Sequence, residues 1–347
     1  RQLDGPGSFI TTANLIIGVS WAPHHEQERL ELARELGQKH VGLPDGTGNG
    51  EPILSRAHIP FLAKAYLQMG ERAHAEALWE QLREHATHTQ DANSVMYALA
   101  TEATAATLDG HLEEAVAVGE ALRSRGEELG IPQVGRQARI LVTRYPLLWL
   151  GRTEELTTLR LELAEVIEGV PGIGGAVPLQ LQATLLAVSG RVEEASDLVR
   201  RLKDEGGHGE EGDDTPAEDL LNFLSLAVMV GDREAAQELY GRLGVLSDQP
   251  MSDSMVPSVA IPRILGGAAA LLGDPQAARV HYHKALELMG KIRHRPELAL
   301  THLELAELLL KHYPDERAEA LEHLDTAITE LRDMKMQPSL ERALSHR

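Results

Sequence analysis

Cysteine is absent from the 347 residues, which removes disulfides, thiolate metal sites and cysteine nucleophiles together and fits a reducing cytoplasm. Aromatic residues make up only 3%, against the composition of a β-sandwich, whose strands favour them. No uncharged apolar run of roughly 18 residues occurs, so no segment reads as a membrane span. Basic residues are outnumbered 33 to 53, and the net charge of −20 repels phosphate backbones, so direct nucleic-acid binding is not expected. Motifs that carry chemistry are missing too. There is no phosphate-cradling Gly-x-x-x-x-Gly-Lys-Ser/Thr, no His-Glu-x-x-His and no Gly-x-Ser-x-Gly elbow. Catalysis by this chain and a bound cofactor are therefore not expected. The chain opens at Arg1 without Met or a signal peptide and reads as a piece of a longer protein.

What is present is a period. Gly70, Gly110, Gly151, Gly190, Gly231 and Gly273 are separated by 40, 41, 39, 41 and 42 residues. Five residues after each comes Ala75, Ala115, Leu156, Ala195, Ala236 or Ala278, and twelve after comes Leu82, Leu122, Leu163, Leu202, Leu243 or Ala285. A fixed interval of about 41 residues marks a repeat array built from one unit that cannot bury its apolar face alone. Each Gly suits the left-handed cap that closes a helix. The charged run after it opens the next helix, where acidic residues such as Glu113, Glu114, Glu193 and Glu194 complement the macrodipole. The +5 and +12 positions fall on one stripe of that helix, and the small +5 residue marks a close approach between the two helices of a hairpin.

This spacing predicts an all-α chain, one continuous domain over 1–347. Its hairpins are expected at 52–87, 92–129, 132–168, 173–204, 215–246, 257–290 and 296–334, with an eighth at 8–37 around a Trp21-Ala22-Pro23 turn. The last hairpin lacks the Gly and turns at Tyr313-Pro314-Asp315. Pro132, Pro171, Pro257 and Pro296 punctuate the breaks, and Thr215-Pro216-Ala217-Glu218 reads as a capping box. Longer loops are expected at Gly42–Gly50 and at the acidic, glycine-rich Asp204–Asp214.

The segment Leu62 to Gly70, followed by Ala75 and Trp79, resembles a tetratricopeptide repeat, and Leu265-Gly266 with Gly273, Ala278, Tyr282 and Ala285 matches that pattern more fully. The period departs from it, about 41 residues against about 34. Most of the chain resembles the C-terminal helical-repeat region of bacterial STAND-type ATPase regulators, carried by LuxR-type factors related to the maltose regulator or by class III adenylate/guanylate cyclases. The stretch from Leu272 to Met334 carries that likeness most specifically. The resemblance implies a right-handed superhelix, an α-solenoid of seven to eight hairpins. It also implies a cytoplasmic sensor or scaffold that binds a protein segment or small effector and regulates upstream domains of the same polypeptide. An alternative is an oligomerisation or autoinhibitory region of a cyclase or ATPase, and a homo-oligomer is compatible with either.

In such an array the first helix of each hairpin lines a concave groove. The resemblance assigns Lys64, Tyr97, Thr104, Tyr145, Trp149, Gln180, Met229 and Arg263 to it, with Tyr145 and Trp149 as aromatic anchors. The alternative is that these residues pack as ordinary core. Arg136, Arg139 and Arg144, close together on one expected helix, suit an anion contact, or else pair with acidic neighbours. Two further patterns point to nothing specific. Asp45 to Arg56 begins like an EF-hand loop but ends in a cation where calcium needs a carboxylate. The sixteen histidines include spaced pairs (His24 with Glu28, His85 with His88) but imply no third metal ligand.

Overall fold

A computed structural model describes residues 22–41, 59–168, 176–206, 215–251 and 259–347. Among these residues the structure is all-helical, apart from an isolated bridge between Met251 and Ala260. The α-helices are α1 (Glu26–Val41), α2 (Ile59–Gln68), α3 (Arg72–Thr89), α4 (Ala92–Leu108), α5 (Leu112–Glu128), α6 (Pro132–Leu150), α7 (Thr153–Glu168) and α8 (Ala176–Val188). They continue with α9 (Val192–Gly206), α10 (Ala217–Val230), α11 (Arg233–Leu243), α12 (Ile261–Leu272), α13 (Pro275–Ile292), α14 (Arg295–His312), α15 (Arg317–Asp333) and α16 (Gln337–Leu344). Neighbours in sequence pack as adjacent pairs. The first helix of the expected 8–37 hairpin and the Gly42–Gly50 loop with its EF-hand-like start lie outside the described residues, as does most of Asp204–Asp214.

The repeat signature maps onto this packing directly. All six spacing glycines have positive φ, between 74° and 92°, and each follows the last turn of a first helix. At Gly70 the chain closes with Glu71 N–H donating to the Tyr66 carbonyl (2.8 Å), the bond pattern that satisfies orphan carbonyls at a helix end. Every residue five positions on, from Ala75 to Ala278 and including Leu156, is fully buried. The hairpin at 296–334, without a Gly, turns through Tyr313 and a short 3₁₀ segment instead.

One expectation needs correction, and two features were not anticipated. Thr215 does not cap α10. Pro216 is the N-cap residue, with no side-chain cap, and Glu218 turns to Arg144. A close approach also occurs between successive hairpins, outside the +5 register: a Cβ on Gly126 of α5 would lie 2.7 Å from the Gly135 Cα of α6. Beside it, Gly119 leaves room for Thr143, whose methyl would be 2.1 Å from an added Cβ. Finally, α16 continues the chain past the last expected hairpin.

The packing also goes beyond the nearest-neighbour stacking of a linear repeat array. Turns of three early hairpins rest on the end of the chain. Arg72, at the start of α3, is 4% exposed and donates to the carbonyls of Ile292 (3.1 Å) and Arg293 (3.2 Å) at the end of α13, and to Asp109 (2.8 Å). Arg295 at the start of α14 reaches the Asp109 carbonyl (3.1 Å) while also holding Glu330 and Asp333. Gly110 sits under Met334, and Gly151 under Pro338, where an added Cβ would approach to 2.5 and 2.8 Å. Leu288, Met289 and Ile292 share one apolar cluster with Ile59, Leu62 and Ala98, so the seam is also a hydrophobic core.

Candidate functional site

Eight helices line one cavity of about 810 Å³, six of them with several residues, α6, α8, α10, α12, α14 and α16, while α7 and α13 add Leu163 and Tyr282. The first five are first members of their hairpins. Leu148, Leu181, Val188, Val228, Met229, Ile264, Leu271, Leu300 and Leu308 make its apolar wall. Met229 is 42% exposed and Val188 43%, so the cavity communicates with solvent. Its volume lies in the range of small-molecule pockets, roughly 300–1,000 Å³.

Tyr145, Trp149, Gln180, Met229 and Arg263 all line this cavity. Lys64, Tyr97 and Thr104 do not. Lys64 and Tyr97 belong to the packing of α2 and α4, Lys64 being buried with its ammonium 5.9 Å from the Phe61 ring centre. Thr104 bonds the Ala100 carbonyl and faces a narrow crevice against α6. The two aromatic anchors are largely core. Tyr145 and Trp149 are each less than a tenth exposed, their rings stack at 5.6 Å, and Trp149 meets His294 edge-on at 5.9 Å. They show the cavity only a rim.

The arginine trio forms no common anion site. Arg139 is buried between Glu120 and Glu162, and Arg144 bonds Glu218 with its guanidinium over the Tyr145 ring at 4.6 Å. Arg136 joins neither pair. Arg139 and Arg144 do what most charges in an acidic chain do, and find carboxylates.

Residues that the repeat pattern did not point to complete the polar side. Arg263 takes Glu297 in a two-pronged contact (2.7 and 2.9 Å) and Glu304 at 2.8 Å. Glu297 is fully buried and also accepts the Ala260 N–H (2.8 Å), which pins the start of α12 to α14. Burial works to raise its pKa, but Arg263 outweighs it and holds the carboxyl below the usual range. Glu304 goes the other way, burial raising it despite Arg263. Asp219 is pushed up to about 6 by burial and by Glu218 beside it. Arg342 of α16 grips Glu307 (2.7 Å), and the Tyr145 hydroxyl donates to Asn222 (3.0 Å). Tyr282 fits because Gly266 has no side chain; a Cβ there would stand 2.6 Å from the ring.

Among the described residues no group of three or more His, Asp or Glu is arranged to hold a metal ion. His302 and His323, with Nδ1 atoms 2.7 Å apart, join α14 to α15. No described helix is long and apolar enough to cross a membrane. No protein-family model and no curated protein matches the chain.

Proposed function

We propose that this chain is the sensor region of a larger signalling protein and binds a small effector in the cavity between its first helices. Its hairpins are read as a right-handed superhelix of tetratricopeptide-like units, similar to the helical-repeat regions of STAND-type regulators and class III cyclases. The reading rests on the cavity. One solvent-connected space of about 810 Å³ is bounded by helices from five successive hairpins and by the final helix, so an occupant touches residues from Ile140 to Arg342 at once. A ligand held that way stabilises the whole arrangement of hairpins over any arrangement that splays them, and differential affinity of this kind shifts a conformational equilibrium. The output would be felt by domains elsewhere in the same polypeptide. No catalytic step is assigned to the chain, because the arginines and carboxylates of the cavity are engaged with one another and not poised around a reacting atom.

Filling the cavity tests the reading. Met229→Trp adds bulk where the side chain is exposed, so the fold should tolerate it, whereas the cavity should close to ligands. A screen of small molecules by thermal shift should find compounds that raise the unfolding midpoint of the native chain. At a hundred times Kd the gain is about 2.7 kcal/mol. The same compounds should leave Met229→Trp unmoved. Stabilisation that persists in Met229→Trp would place the binding elsewhere and overturn the assignment.

A further inference from the structure

The cavity's charges and its neutral polar groups are in opposite states. Arg144 is held by Glu218, Arg263 by Glu297 and Glu304, and Arg342 by Glu307, so each guanidinium of the lining has its carboxylate. Lys311 makes no ion pair among the described residues, and it stands exposed at the last turn of α14, where water and the helix C-terminus favour a cation. The neutral groups are not matched. Gln180 is only 5% exposed, yet its side-chain carboxamide makes no hydrogen bond among the described residues. Asn222 accepts from Tyr145, but its amide N–H groups donate to nothing described, and the Ser225 hydroxyl is equally idle. All three line the cavity, on the packed neighbours α8 and α10. Gln180 is buried while Asn222 and Ser225 are half-buried, and polar groups without a protein partner on the wall of a solvent-connected cavity are open to an occupant's own polar atoms.

The sign of any charge on that occupant follows from the same lining. A carboxylate would lose its hydration beside Glu304 and Glu307, and an ammonium would lose its hydration beside Arg144, Arg263 and Arg342. Neither finds a free counter-ion in the interior, and an unpaired charge is the costliest group to bury. A carboxamide suits the vacant partners, because Gln and Asn side chains each present a carbonyl acceptor next to N–H donors and another amide is their complement. Resting on the cavity as the ligand site, we propose that its occupant is an uncharged, mainly apolar small molecule bearing a carboxamide, with that group on Gln180, Asn222 and Ser225 and its apolar body along Leu181, Val228 and Met229.

Three probes with the same chain isolate the head group: octanamide, octanoate and octylammonium, titrated calorimetrically against the native chain. Octanamide is expected to bind one per chain, at least about tenfold more tightly than either ion, the size of step that two lost hydrogen bonds make. Gln180→Met keeps the length but removes the amide and should weaken octanamide about tenfold with an unchanged unfolding midpoint. Ser225→Ala should weaken it less. If Gln180→Met shifts the midpoint, Ser225→Ala carries the test, and octanamide affinity unchanged in Ser225→Ala would overturn the proposal. Tighter binding by either ion, abolished by Met229→Trp, would overturn the carboxamide assignment while leaving the cavity as a ligand site. Octanamide binding that survives Met229→Trp would overturn both, and failure of octanamide to bind would overturn the carboxamide assignment alone.

Discussion

The seam and the cavity share the late helices α14 and α16 but are built by opposite means. At the seam, α13, α14 and α16 meet the turns of early hairpins through backbone: Arg72 and Arg295 donate to carbonyls at helix ends, and Gly110 and Gly151 leave room for Met334 and Pro338. Around the cavity the helices α12, α14 and α16 meet through side chains, with Arg263 and Arg342 paired to carboxylates and the apolar wall left open. Close packing and satisfied backbone groups make the seam intolerant of change. Half-exposed wall residues make the cavity tolerant. The difference teaches which positions hold the hairpins together and which are free to meet something else.

The sharpest way to break this comparison is Trp149, which touches both regions. Buried against Tyr145 and His294, it should behave as core, and Trp149→Ala is expected to cost about 3–5 kcal/mol, seen as a large fall in the unfolding midpoint. A midpoint within a degree of the native value would move Trp149 to the cavity's tolerant side and erase the distinction.

Next in size comes Arg72→Met. It retains much of the aliphatic stem but leaves the carbonyls of Ile292 and Arg293 without their shared donor and Asp109 without its cation, and should cost roughly 1–3 kcal/mol. Hydrogen exchange should then speed up at the end of α13 and not in α10. If exchange changes evenly over the chain, the seam is not a separate unit of stability.

The smallest effect sharpens the comparison by pH. Burial lowers the pKa of His302 to about 4 and also lowers that of His323, so the folded state prefers both rings neutral. His283 pushes His323 further down, while Glu319 and Glu322 pull it up. With folded values below the ordinary value of about 6.5, the unfolded chain binds more protons between pH 6.5 and 4. Stability from this pair is therefore complete above about pH 6.5 and is lost as pH falls towards 4. Asp219, pushed up to about 6, acts with the opposite sign over part of that interval, so the measure is the difference between native and His302→Phe chains. The variant should show a shallower loss of midpoint on acidification, and an identical slope would remove the histidine pair from the account.

Much of the fold was legible before any coordinates because it is local. A glycine at the left-handed cap, acidic residues in the next first turn and a small residue five positions on are each decided by the residues nearest them, and six repetitions make the signal hard to miss. Gly266 with Tyr282 was legible too, as part of the same pattern. Half of the site followed, since Tyr145, Trp149, Gln180, Met229 and Arg263 lie on helix faces that the repeat register identifies. Lys64, Tyr97 and Thr104 carry the same register and still miss the cavity, because their helices α2 and α4 belong to the early hairpins that the late helices cover.

By itself, then, the sequence determined the all-helical class, the turns, and the buried stripe of each second helix. Only the tertiary structure decided the seam, the cavity and the pairing of its charges. Arg72 and Ile292 are 220 residues apart, and no period relates them. Glu218 looked like the partner of a local cap and became the partner of Arg144, because a guanidinium that is largely buried needs a carboxylate more than a helix start needs a cap. Local rules act within a few residues along the chain, whereas close packing and charge neutralisation act on whatever the fold brings within a few ångströms.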